Sequence, residues 1–344
     1  MPPTRRKIRV GLVGLGYWGS NIARNLAAIA DCELAWCCDT DTDRDEQWRS
    51  RFPGARFTHD LDELLGDQSL DAVAVATPVS THAATAARAL QAGKHCFVEK
   101  PLAQRVVDAE RIEALAAERE RILMVGHLLE FHPGVEALRR LIDADELGGV
   151  RYIYSQRLNL GKLRADENAL WSLGAHDVSV VLALTGQLPL EVSARGESYV
   201  REGVEDVVFC HLRFASGVVA HMHLSWLDPH KERRLTVVGA QRMATFDDMA
   251  TERKLTIFDK GFDPDGDSAG AYVVRSGEAR SPAVGGEEPL RVELEHFLEC
   301  VRGGGRPRAD GASGVRVVRV LEALQLSLET GGSAVELEAR VAPA

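Results

Sequence analysis

Three short stretches combine residue types and spacings that can do chemistry. In Gly14-Leu15-Gly16-Tyr17-Trp18-Gly19 a short apolar run gives way to a stretch with helical spacing. Gly14 permits a tight turn, Gly16 lets a pyrophosphate approach the backbone, and Gly19 lets helix and strand pack closely. The helix start then offers N–H groups and partial positive charge to the anion. Asp39 closes the second apolar run. A carboxylate there accepts hydrogen bonds from a ribose hydroxyl and repels a 2′-phosphate, so NAD is expected over NADP. Asp41 is close enough to take the same part. Tyr17 and Trp18 either shield a cofactor from water or pack the helix.

Glu99-Lys100-Pro101 follows the apolar run His95–Val98. Ligands of parallel sheets gather at the carboxyl ends of strands. Pro101 keeps Lys100 out of helical geometry. A lysine beside a cationic nicotinamide has its ammonium form disfavoured and can exchange a proton with a substrate hydroxyl. A solvated lysine ahead of a helix fits the tripeptide as well. The third stretch, His176-Asp177, opens the apolar run Val178–Leu184. A helix there presents His176 in its first turn, with Ser172 on the same face and Asp177 off it.

The elements that must hold these residues alternate along the first half. Apolar runs at Ile8–Leu15, Glu33–Cys38, Ala72–Ala76, His95–Val98 and Ile122–Val125 are separated by helical spacing at Tyr17–Ala30, Thr81–Gln91 and Ala103–Glu120. Such a series predicts a parallel sheet covered on both faces. After about residue 128 the texture changes to longer alternating runs, with a hairpin signature at Ala215-Ser216-Gly217. The expected fold class is an α/β dinucleotide-binding domain over 1–127. An α+β domain with a mainly antiparallel sheet then spans 128–344, with terminal helices able to pack back on the first domain. Residues 259–289, rich in Gly, Pro, Asp and Ser, are expected to form a long loop.

Composition narrows the partners. The chain has 344 residues and a formal charge of −10, which argues against bulk nucleic-acid binding. No uncharged apolar run is long enough to span a bilayer. Arg5, Arg6 and Lys7 read as a charged lead into the first strand rather than as a signal peptide. The six cysteines form no Cys-x-x-Cys pair and fall in apolar runs, so buried free thiols and a cytoplasmic location are expected. His221 and His223 share a strand face without an evident third ligand, so no metal site is expected.

The glycine turn, then Thr77-Pro78 with His82 after it, then Glu99-Lys100-Pro101, then a histidine at a helix start beyond residue 170, together resemble the glucose–fructose oxidoreductase / inositol dehydrogenase (Gfo/Idh/MocA) family. The resemblance implies a Rossmann-type first domain and a second domain with a large open sheet. It also implies homodimers or homotetramers formed through that sheet. It makes Lys100 and His176 the catalytic residues, sharing removal of a hydroxyl proton as hydride leaves a sugar carbon for nicotinamide. Cofactor contacts are then expected from Gly14, Gly16, Tyr17, Trp18, Gly19, Asp39, Thr77, Pro78, His82, Glu99 and Lys100. Substrate contacts are expected from Lys100, Arg157, Asn159, Ser172 and His176. Ser172 stands where the family pattern has an Asp. Arg157-Leu158-Asn159-Leu160-Gly161 and Trp226-Leu227-Asp228-Pro229 look like the nucleotide-sugar dehydrogenase branch, which implies oxidation at carbon 3. Two other functions fit the same residues. One is a glycosidase that uses NAD transiently, and the other is a non-catalytic dinucleotide sensor.

Overall fold

A computed structural model describes residues 6–161, 163, 167–266 and 270–337. Arg5 of the charged lead lies outside that set. The chain forms two compact units. The first runs through Phe131 and takes in Glu287–Arg319; the second covers His132–Gly286 and continues from Val320.

In the first unit β1 (Ile8–Val13), α1 (Tyr17–Ala28), β2 (Cys32–Cys38), α2 (Asp45–Arg51), β3 (Arg56–Thr58) and α3 (Leu61–Gly66) come first. They are followed by β4 (Ala72–Val75), α4 (Val79–Gln91), β5 (His95–Glu99), α5 (Val106–Glu118) and β6 (Leu123–Gly126). The strands form one parallel sheet in the order β3-β2-β1-β4-β5-β6. Their nearly unbroken apolar character follows from burial on both faces: β4 is buried at every position. The winding reverses between β1 and β4, which opens a crevice at their carboxyl ends.

The second unit contains α6 (Pro133–Asp143), β7 (Val150–Leu158), α7 (Ala175–Thr185), β8 (Pro189–Glu197), β9 (Val207–Phe214) and β10 (Val219–Ser225). It continues with β11 (Glu232–Gly239), β12 (Met243–Asp247), β13 (Leu255–Pro264) and β14 (Tyr272–Arg280). After α8 (Pro289–Val301) and α9 (Gly311–Glu329) the chain adds β15 (Val335–Glu336). The nine strands of this unit pair in the order β14-β13-β12-β11-β7-β10-β9-β8-β15, antiparallel except where β7 meets β10. Along β9 buried and open positions alternate, so Val208, Cys210, Leu212 and Phe214 form one apolar face.

Two sequence expectations change. The division falls after Phe131 rather than after 127, because Phe131 packs into the first unit's core. α8 packs back on the first unit in the way allowed for the terminal helices: Leu294 and Phe297 enter its core, and the Phe97 and Phe297 rings lie 5.8 Å apart. Residues 259–289 are not one loop, since β13 and β14 pair from Ile257–Arg280 to Pro264–Tyr272. This edge hairpin is solvated along nearly all of β14, so it needs no apolar alternation and its backbone hydrogen bonds leave no trace in composition. All six cysteines are free and buried.

Candidate active site

Gly14 sits at φ +93, and a Cβ there would lie 2.6 Å from the Ala76 backbone. A Cβ on Gly19 would lie 2.0 Å from the Gly14 carbonyl oxygen, so the turn closes only with glycine at both places. At Gly16 a Cβ would meet no protein atom within 4 Å. That is the open surface a pyrophosphate requires, above the start of α1, which has no side-chain cap. Asp39 Oδ2 accepts the Leu15 N–H at 2.5 Å, and Oδ1 accepts the Asp41 N–H at 2.9 Å. Asp39 thus holds the glycine turn against the end of β2 and anchors Asp41 as its neighbour. Trp18 packs on the core, whereas Tyr17 is exposed and lines a cleft with Leu15, Gly16, Ser20 and Arg51. Trp18 thus packs the helix, and Tyr17 faces the cleft.

The same sheet edge carries Thr77, Pro78 and Lys100. The Thr81 hydroxyl bonds the Thr77 hydroxyl and the Pro78 carbonyl, each at 2.8 Å, and shapes the start of α4. His82 differs from its expected place as a cofactor contact. It is 1% exposed, and its ring nitrogens face the carbonyls of Pro101 and Thr77 at 2.8 Å each. A neutral imidazole can donate to only one of these at a time. Burial pulls its pKa down, while the two carbonyls pull it up. His82 clamps the Thr77-Pro78 turn to the loop that bears Lys100. Glu99 is likewise turned inward: it is buried, and Oε2 accepts the Lys100 N–H at 3.2 Å. Burial pushes its carboxyl up to about 7, against the pull of the Lys100 charge.

In the second unit a wide π-helical turn, Leu170–Gly174, runs directly into α7, where His176 is half-buried in the first turn. Ser172 lies within this wide turn and is buried. A Cβ on Gly174 would lie 3.0 Å from Leu224 Cδ1 on β10, so the turn packs closely on that strand. Arg157 is not an open strand residue: its guanidinium pairs through Nε with Asp177 Oδ2, and Asp177 is 4% exposed. Asn159 Oδ1 accepts from Arg233 Nη2 at 3.1 Å. Arg233 lies opposite Arg157 across the β11–β7 ladder, and burial together with the Arg157 charge brings its pKa down to about 10. The histidines 221 and 223 lie on the other face of this sheet. His221 pairs with His211 across the ladder, and His223 stacks on Phe209 with centroids 4.4 Å apart.

Family models match both units. An oxidoreductase family with an NAD-binding Rossmann fold matches residues 8–127, and the Gfo/Idh/MocA C-terminal domain matches residues 135–245. The chain belongs to the Gfo/Idh/MocA family. It is 30% identical to UDP-N-acetylglucosamine 3-dehydrogenase of Acidithiobacillus ferrooxidans, over 94% of this chain and 97% of that one. The solved structure of that relative gives a TM-score of 0.82 at 28% identity, covering 95% of this chain and 99% of that one. The scyllo-inositol 2-dehydrogenase (NAD(+)) of Bacillus subtilis is 26% identical over 88% of each chain. GenD2 from gentamicin A biosynthesis, solved in complex with NAD, is 26% identical with a TM-score of 0.82, over 97% of each chain.

This Gfo/Idh/MocA chain is an NAD-binding oxidoreductase, and the cradle at Gly14, Gly16 and Gly19 fits that cofactor. NAD supplies a hydride acceptor at nicotinamide carbon 4 when bound. Asp39→Ala is expected to cut the preference for NAD over NADP by about tenfold or more, the scale of a charge-assisted hydrogen bond plus lost repulsion. Fluorescence titration with both reduced cofactors measures it. Unchanged discrimination would show that another residue reads the ribose.

Sequence reasoning missed the Arg157–Asp177 pair, the His82 clamp and the buried Glu293; it read His127 and Glu130 only as lacking a metal pattern, and both are buried. The first two join residues far apart in the chain, for which no local pattern exists. Glu293 carried a faint signal, as an acid on the apolar face of α8 beside Leu294 and Phe297.

Proposed function

We propose that the protein transfers hydride between a ring carbon of a sugar and nicotinamide, with a nucleotide-linked sugar as substrate and carbon 3 as the reacting centre. One observation carries this reading: the 30% identity to UDP-N-acetylglucosamine 3-dehydrogenase runs through nearly all of both chains. Lys100 takes the hydroxyl proton as the hydride departs, and returns it in the reverse direction. His176 is the second proton-handling group. In place of a carboxylate at Ser172, the Asp177–Arg157 pair fixes the first turn of α7 and with it the imidazole. Thr77 and Pro78 shape the cofactor crevice, and Arg157 and Asn159 act through the Asp177 and Arg233 contacts rather than as bare substrate ligands. Copies of the chain associate through the solvent face of the second sheet, where Tyr152 and Phe209 are exposed.

The test is a panel of nucleotide sugars and free cyclitols, followed by NADH absorbance. A kcat/KM about tenfold or more higher for UDP-linked N-acetylhexosamines than for inositols is expected. A preference for free inositols would replace this reading with that of the cyclitol relatives.

A further inference from the structure

Arg233 and Arg234 are adjacent on β11, and strand alternation sends them to opposite faces of the second sheet. Arg234 has carboxylate company: Asp247 Oδ2 lies 3.2 Å from its Nη2, and Glu232 Oε2 lies 3.9 Å from its Nη1. Arg233 stands opposite Arg157 in the β11–β7 ladder, so it projects from the face on which Arg157 meets Asp177 of α7. That helix carries His176 in its first turn.

The carboxylates of this neighbourhood are committed elsewhere. Asp177 pairs with Arg157. Asp248 donates its N–H to the Arg233 carbonyl oxygen at 2.9 Å, but its carboxylate holds His132 Nε2 and Lys254 Nζ, each at 3.2 Å. Among the described residues neither acid forms an ion pair with Arg233. With its pKa brought down only to about 10, Arg233 is a half-buried cation at neutral pH.

Neutral oxygens fix the orientation of this guanidinium without cancelling its charge. Nη1 donates to the Leu158 and Glu232 carbonyl oxygens at 2.9 and 2.7 Å, and Nη2 donates to Asn159 Oδ1 at 3.1 Å. Asn159 is itself held, its N–H donating to the Ser225 carbonyl oxygen at 3.1 Å. A guanidinium carries five N–H groups. The three bonds leave the Nε hydrogen and one on Nη2, the pair an arginine offers to two oxygens of one anion. Next to this fork the chain presents apolar surface. Leu160, after β7, and Leu227, after β10, are both exposed, and the Gly161 N–H ties the two segments together at the Trp226 carbonyl oxygen, 2.9 Å away. A held cation beside exposed leucines suits a ligand with an anionic centre and a flat apolar end. A free cyclitol has neither.

We propose that Arg233 binds a phosphate of the substrate and thereby sets the preference for nucleotide-linked over free sugars. The inference rests on the reading of a nucleotide-linked substrate and names the residue that recognises the linkage. Asn159 holds the guanidinium in place, and Arg157, neutralised by Asp177, shapes the same face.

The experiment is calorimetric titration of the NAD-loaded protein with UDP, uridine and glucuronate, which needs no turnover. The native protein is expected to bind UDP about tenfold or more tighter than uridine. Arg233→Gln weakens UDP by about tenfold or more, the scale of a charge-assisted bidentate contact, and leaves uridine within about twofold, so the two ligands converge. Arg234→Gln, on the other face, changes neither by more than about twofold. Should Arg233→Gln not fold, Arg233→Lys keeps the charge without the planar fork and still weakens UDP by about threefold or more. UDP affinity indifferent to both Arg233 variants would overturn the proposal. So would a loss confined to glucuronate, which would assign the arginine to a sugar carboxylate. Failure of every nucleotide sugar in the turnover panel, with UDP binding dependent on Arg233, would sink the substrate reading and leave the phosphate site standing. Turnover of nucleotide sugars with UDP binding indifferent to Arg233 would do the reverse.

Discussion

Lys100→Met leaves NAD affinity within about twofold and lowers kcat/KM by about 10²- to 10⁴-fold, the range typical of a positioned proton-transfer group. The expectation follows from where the residue stands. Lys100 comes immediately after β5, at the carboxyl edge of the parallel sheet, on a loop tied to the Thr77-Pro78 turn by His82. Its backbone N–H is held by Glu99, so its place does not depend on its own ammonium group. Methionine keeps the length and apolar body of the side chain and removes the ionisable nitrogen, so the fold and the glycine cradle should persist. NADH fluorescence titration and steady-state kinetics on the same preparation separate binding from chemistry. Turnover within about threefold of native would remove Lys100 from the proton-handling role; a parallel collapse of NAD affinity would show that it holds the cofactor instead.

The largest expected loss of stability is at Arg157. Its guanidinium pairs with Asp177, and both side chains are nearly excluded from solvent. Arg157→Leu leaves a buried carboxylate without its counter-charge, at a cost of about 3–5 kcal/mol. Typical folding free energies are about 5–15 kcal/mol, so this variant should unfold at far lower denaturant. Arg157→Met combined with Asp177→Leu removes both charges and should recover most of the loss, because the penalty belongs to the unpaired charge rather than to the pair's net worth. Urea midpoints of the single and double variants provide the measurement. Equal midpoints for native protein and Arg157→Leu would show that the contact contributes nothing to folding.

The legible parts of the molecule share one property. The glycine turn, Asp39 at the end of β2, the Lys100 position and the start of α7 are each set by residues within one strand–loop–helix step. Local sterics and hydrophobic period act over that range, and the alternation of apolar runs with helical spacing was enough to specify a parallel sheet. The solvated hairpin β13–β14 was not legible, because its pairing rests on backbone groups that every residue carries.

By itself the sequence determined the two fold classes, the cofactor cradle and the order in which candidate groups follow the strands. Only the tertiary structure decided what those groups touch. It turned His82 and Glu99 away from the cleft, joined Arg157 to Asp177, and buried Glu293 of α8 within the first unit. The physical reason is that burial and Coulomb interactions depend on distance in space. A carboxyl nearly two hundred residues along the chain can therefore feel the one at the end of β5, and no spacing rule records it.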